Sequence, residues 1–281
     1  MATASDKQWA FDLVKQFDER WGGGVWPHID RSDLAISLRE RLNNPDKLNQ
    51  GGTNLCGVAS FVREWLQDDP VGYVWFAICL FEKGVGTFAK KGQGGRTIRP
   101  SQELKHSVLA KINRHTSKTV APADWIVMAS LREDLNISLN YRADEGWLFW
   151  DDTRGLSSVG DVVKLFERAG YQEVRDYANW WSKRDAKHLE VAGKYVTAGY
   201  KVVLFIDYRL LEKAKQDTEA AVATANHFVG LTTPVTFDGK RNYLKFKVFS
   251  WGKVQDVPEK DEWMPVKTLE RHYYGFVAAK F

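Results

Sequence analysis

Cysteine is scarce in this chain of 281 residues, which carries only Cys56 and Cys79. Two cysteines cannot build a disulfide framework, and without a Cys-x-x-Cys pair they do not form a zinc site. A single bridge between them is open on count alone, but Cys79 lies inside an apolar helical run, so two thiols are expected. Long hydrophobic runs are lacking too. The longest, Val71 to Phe81, is far shorter than a bilayer span and reads as a buried helix, so no membrane span is expected. Residues Met1 to Lys7 contain no apolar core of signal-peptide length. The expectation is a chain made in the cytoplasm without a cleavable signal, or one exported by a specialised secretion system. Charge of one sign is thin: 40 Lys and Arg oppose 36 Asp and Glu, a net +4. No basic cluster sits on one element, which argues against nucleic acid as a partner. Gly92, Gly94 and Gly95 lack the strand–helix context and the lysine of a phosphate loop. Asp151 and Asp152 are adjacent rather than convergent and read as a turn. No cofactor and no metal is expected.

What is present is apolar material in quantity. A hydrophobic content of 44% supports a sizeable core, and the twelve tryptophans are read as packing groups. Periodicity predicts an amphipathic helix over Lys7 to Arg20, and a second with Ser32 as its N-cap that ends at Asn43-Asn44-Pro45. A cysteine helix begins near Cys56. Asp69-Pro70 reads as an N-cap followed by proline at the first helical position, and Gly84 as the closing residue. Val85 to Arg99 reads as an exposed basic loop. Further helices are predicted at Ser101–Ile112, Pro122–Asn136, Gly160–Arg168 and Asp185–Thr197, with extended pieces at Trp147–Asp152 and Tyr171–Val174.

From Tyr200 the texture changes to strands: Lys201–Ile206, His227–Leu231, Tyr243–Ser250 and Tyr273–Ala279, with a hairpin signal at Asp238-Gly239. The fold class is therefore α+β, one domain over 1–281, with a mainly helical half (1–199), an antiparallel sheet half (200–281) and a cleft between them. A split into two domains near residue 199 is the alternative description.

Two residues carry the chemistry. Cys56 follows the Gly-rich loop Gln50 to Asn54 and would sit at a helix N-terminus, where unpaired N–H groups and the helix dipole favour a thiolate. His227 opens a strand in the other half, and a cysteine and an imidazole facing each other make an activated nucleophile. The bland alternatives are a buried thiol and a hydrogen-bonded strand histidine. The other histidines, in helical or loop contexts, are read as surface groups.

At these positions the chain resembles the papain-like cysteine peptidases. Gln50 stands six residues before Cys56, Asn226-His227-Phe228-Val229 is similar to the family's Asn-His-Ala-Val, and Phe249-Ser250-Trp251-Gly252 to its Asn-Ser-Trp-Gly. The resemblance implies a papain-like fold and covalent acyl chemistry: Cys56 as nucleophile, His227 as base and then acid, Gln50 with the Cys56 N–H as oxyanion hole, and Trp251 shielding the pair. In papain itself the pairing takes the thiol from roughly 8.5 to about 3 to 4. Phe249 occupies the orienting asparagine's position, so Ser250, Asp256 or no third residue remain as alternatives, with Ser250 favoured. The helical half matches no motif of the lysosomal or plant enzymes, and the chain is more similar to divergent bacterial toxins and secreted effectors of this fold. That likeness implies a protein, peptide or peptidoglycan substrate and an immunity protein as partner. Glutamine deamidation or acyl transfer would use the same residues, and a catalytically decayed binding domain would use none of them.

Overall fold

The computed structural model describes residues 2–88, 95–109, 119–135, 158–179, 182–212 and 225–281. The predicted piece at 147–152, with Asp151 and Asp152, and the Lys90-Lys91 stretch lie outside these residues. The fold is α+β, with helices and an antiparallel sheet. It divides into two compact units, one of residues 1–157 and 168–170, the other of 158–167 and 171–281.

In the first unit, α1 (Ala4–Asp18) opens with a reciprocal cap between Thr3 and Asp6 and buries Ala10, Val14 and Phe17. Trp9 of the same helix is 58% exposed. Helix α2 (Arg31–Asn43) starts two residues earlier than expected, because Asp30 rather than Ser32 takes the extended cap conformation. A 3-10 turn at Pro45–Lys47 and a loop lead to α3 (Cys56–Asp68). Asp69 accepts from the Gly72 N–H and caps α4 (Pro70–Lys83), and Gly84 closes it at φ 65°.

Two short strands, β1 (Gly86–Thr87) and β2 (Thr97–Ile98), pair antiparallel within the stretch expected to be an exposed loop. The reason is Phe88, 1% exposed, whose ring lies 5.0 Å from both Trp65 and Phe76. Burying such a ring is worth about 1.5–3 kcal/mol, enough to hold a polar segment down. Helix α5 covers only Gln102–His106, and α6 spans Pro122–Leu135. Helix α4 packs against α1, α3 and α6.

In the second unit, α7 (Val159–Arg168), β3 (Glu173–Asp176) and α8 (Ala186–Thr197) precede β4 (Lys201–Ile206) and β5 (His227–Leu231). Then come β6 (Thr236–Phe237), β7 (Tyr243–Ser250), β8 (Lys253–Val257), β9 (Met264–Pro265), α9 (Val266–His272) and β10 (Tyr273–Lys280). The strand order is β3-β10-β4-β5-β7-β6, with β8 and β9 also pairing β7. The Asp238-Gly239 turn joins β6 to β7, and the Asp238 carboxylate accepts from the Tyr243 N–H.

One face of the sheet shares a core with α8. Val202, Leu204 and Ile206 of β4, Val229 and Leu231 of β5 and Val248 of β7 gather there with Ala186, Leu189 and Ala192. Alternation sends neighbouring residues to the other face, where Phe205 and Phe228 stack at 4.5 Å.

Candidate functional site

Cys56 is the first residue of α3, after Leu55 at the cap position, and is 4% exposed. Leucine has no side-chain oxygen, so Leu55 offers no side-chain cap to the first N–H groups of the helix. Those donors and the positive end of the dipole are what an anionic sulfur or an oxyanion would use.

The loop before Cys56 is closed by its own polar groups. The Gln50 Nε2 donates to the Thr53 carbonyl at 3.0 Å, the Thr53 hydroxyl donates to the Gln50 carbonyl at 2.6 Å, and the Asn49 side-chain oxygen accepts from the Gly51 N–H at 2.8 Å. Gly51 has φ 66°, a conformation that costs other residues roughly 1–2 kcal/mol. Gln50 is 7% exposed and one of its amide hydrogens is committed to Thr53.

Beneath this loop lies a fully buried carboxylate. Asp124 on α6 receives Arg41 Nε at 2.9 Å and Arg41 Nη2 at 2.6 Å, and its Oδ2 also accepts the Asn49 N–H at 2.9 Å. Burial pushes the Asp124 carboxyl up, and Arg41 and the Asn49 N–H oppose it. Burial would lower the Arg41 guanidinium, but Asp124 more than offsets this, so its pKa lies above the ordinary value and the arginine stays charged.

In the second unit, His227 is the first residue of β5 and 5% exposed. Its Nε2 is 2.8 Å from the Ser250 hydroxyl. Burial lowers its pKa to about 4, so this imidazole is neutral at pH 7. The strand register explains why Ser250 and not Phe249 meets it. Gly230 opposes Phe249 and Leu231 opposes Val248. His227 shares a face with Leu231, and Ser250 shares one with Val248, so both are on the same side; Phe249 is on the other. Asp256 opposes Lys247 and is 3.1 Å from its Nζ, so its carboxylate is committed to an ion pair.

Trp251 and Gly252 form the two-residue turn between β7 and β8, with φ of 48° and 76°. Positive φ at both positions is the turn type that matches strand twist, and it normally selects asparagine and glycine. A tryptophan there costs roughly 1–2 kcal/mol of backbone energy. Its ring lies 4.5 Å from the His227 ring at an interplanar angle of 20°. A strained residue held in contact with a buried imidazole is a pattern associated with functional sites.

Asn226 has a structural partner: its side-chain oxygen accepts from the Tyr208 N–H at 2.9 Å, and its own N–H donates to the Ile206 carbonyl. His272, expected at the surface, is instead 3% exposed beside the fully buried Asp207, because α9 packs it inward. Asp207 is held well below the usual carboxylate range: burial works against this, but His272, 3.7 Å away, and the hydrogen bonds from Arg209 prevail.

Concavities of about 390 Å³, beside Trp21 and Arg31, and about 300 Å³, beside His28 and Pro122, include none of these residues. Among the described residues, no three His, Cys, Asp or Glu side chains are grouped to hold a metal, and no helix is long and apolar enough to cross a membrane. No protein-family model matches the chain, and no curated protein matches it either.

Proposed function

We propose that the chain is a papain-like cysteine hydrolase that cleaves a peptide or amide bond through a thioester. The observation that carries the reading is the hydrogen bond between His227 Nε2 and Ser250, made under the ring of Trp251. If Nε2 carries the proton and donates to Ser250, the lone pair of Nδ1 is free to take the Cys56 thiol proton. The sulfur then attacks the carbonyl carbon, and the resulting oxyanion takes N–H donors from the start of α3 and from Gln50. The imidazolium gives its proton to the leaving amine, a thioester remains, and water activated by Nδ1 hydrolyses it, returning the thiol and a carboxylic acid.

The reading requires the Cys56 thiol to meet His227, and alkylation tests that. Iodoacetamide at pH 6 should label Cys56 much faster than Cys79, whose thiol burial pushes up. Equal slow labelling would overturn the proposal. Mass spectrometry of a treated proteome separates the products: new chain termini indicate a peptidase, and a gain of about one dalton at a glutamine indicates a deamidase using the same thioester chemistry. From the resemblance we also propose that the chain is a bacterial effector or toxin with an immunity partner. Harmless expression in bacterial and host compartments alike would remove that assignment.

The burial of His227 and its neutral state favour a second reading, a papain-like domain that binds without catalysis. A Cys56→Ala chain with an undiminished phenotype would select it.

A further inference from the structure

The segment between α2 and α3 is held at two points by buried charge. Asp46, in its 3-10 turn, receives Arg63 of α3 at 2.8 Å and 2.7 Å, and Arg63 also pairs with the buried Glu64. Three residues further on, the Asn49 N–H ends on Asp124, 75 positions away in the chain. Asp124 has no exposed surface, and Arg41 is only 5% exposed.

A buried ion pair of this kind is weak evidence for stability. Its desolvation cost is large, and apolar residues of similar volume often replace both partners without loss. What an apolar pair cannot do is accept a third hydrogen bond. Asp124 spends that bond on the backbone one residue before Gln50, at the start of the loop that sets Gln50 and delivers the chain to Cys56. We infer that Asp124, oriented by its two bonds from Arg41, is a positioning residue that fixes the loop of Asn49 to Leu55 and so sets the geometry of the Cys56 site. This rests on the proposal that Cys56 is the nucleophile.

Two double variants separate positioning from packing. Arg41→Met with Asp124→Leu removes both charges and the acceptor, whereas Arg41→Met with Asp124→Asn removes the charges and keeps an oxygen for the Asn49 N–H. Amide hydrogen exchange is followed across the first unit, and Cys56 alkylation by iodoacetamide is followed against pH. The leucine variant should exchange about tenfold faster over residues 49–55 while α4 keeps its protection, and its alkylation at pH 6 should fall by about tenfold. The asparagine variant should recover most of both. A loop that exchanges as in the parent chain when the acceptor is gone overturns the inference, as does equal loosening in both variants. A parent Cys56 that reacts at pH 6 no faster than Cys79 refutes the nucleophile itself, and the exchange measurement still decides whether Asp124 holds the loop.

Discussion

The loop before Cys56 and the strand end at His227 are two solutions to the problem of holding one side chain still. Around Cys56 the backbone is irregular, and its shape comes from side chains bonding to nearby main chain, with Asp124 anchoring it from below. Around His227 the backbone is a regular ladder, and position follows from register: Ser250 arrives because β7 alternates, and Trp251 because a two-residue turn must follow it. Loops fixed by polar side chains are sensitive to the loss of one charge. Strand ends fixed by register tolerate the loss of one side chain and respond mainly in electrostatics.

Breaking one member of the buried pair should therefore have the largest effect. Asp124→Ala strands the Arg41 guanidinium in the interior and should cost about 3–5 kcal/mol of unfolding free energy in a denaturant titration. Ser250→Ala leaves only the His227 nitrogen without its partner, and the expected cost is about 1–3 kcal/mol.

A comparable sensitivity lies in the pH dependence at His227. Its folded pKa of about 4 is below the unfolded value near 6.5. The unfolded chain thus binds the extra proton between those pH values, so stability is full above the upper one and is lost as pH falls to the lower. In a Cys56→Ala background the loss should be about 3 kcal/mol between pH 6.5 and 4, and a further His227→Gln change should abolish that part. The smallest change in stability is expected at Trp251→Asn. It relieves roughly 1–2 kcal/mol of backbone strain and forfeits about 0.5–1.5 kcal/mol of ring contact, leaving a near balance. Its signature is electrostatic, because uncovering His227 should raise its pKa toward 6.5 in an NMR titration.

The sequence makes some of this legible and hides the rest for physical reasons. Helix α4 is readable at both ends, since Asp69-Pro70 and Gly84 are local signals with local causes. The cap of α2 is misplaced because Asp30 and Ser32 are both good caps and only the backbone decides between them. Strand β8 carries no apolar alternation and α9 is only seven residues long, so neither rises above the turn signals around it. Of the candidate residues, Cys56, His227, Gln50 and Trp251 can be named from short motifs, whereas the choice between Phe249 and Ser250 turns on which sheet face each occupies, and that needs the register with β5. The bonds from Arg41 and Asn49 to Asp124 span 83 and 75 positions, and no spacing rule reaches that far.

The central claim is that the Cys56 sulfur and the His227 imidazole act as one pair, and an NMR titration of the His227 ring tests it most directly. Burial takes the ring to about 4, and a sulfur that shared its proton would have to shift that value. The account predicts that His227 titrates at a different pH in Cys56→Ala than in the parent chain, where burial sets it at about 4. The same value near 4 in both proteins would contradict it.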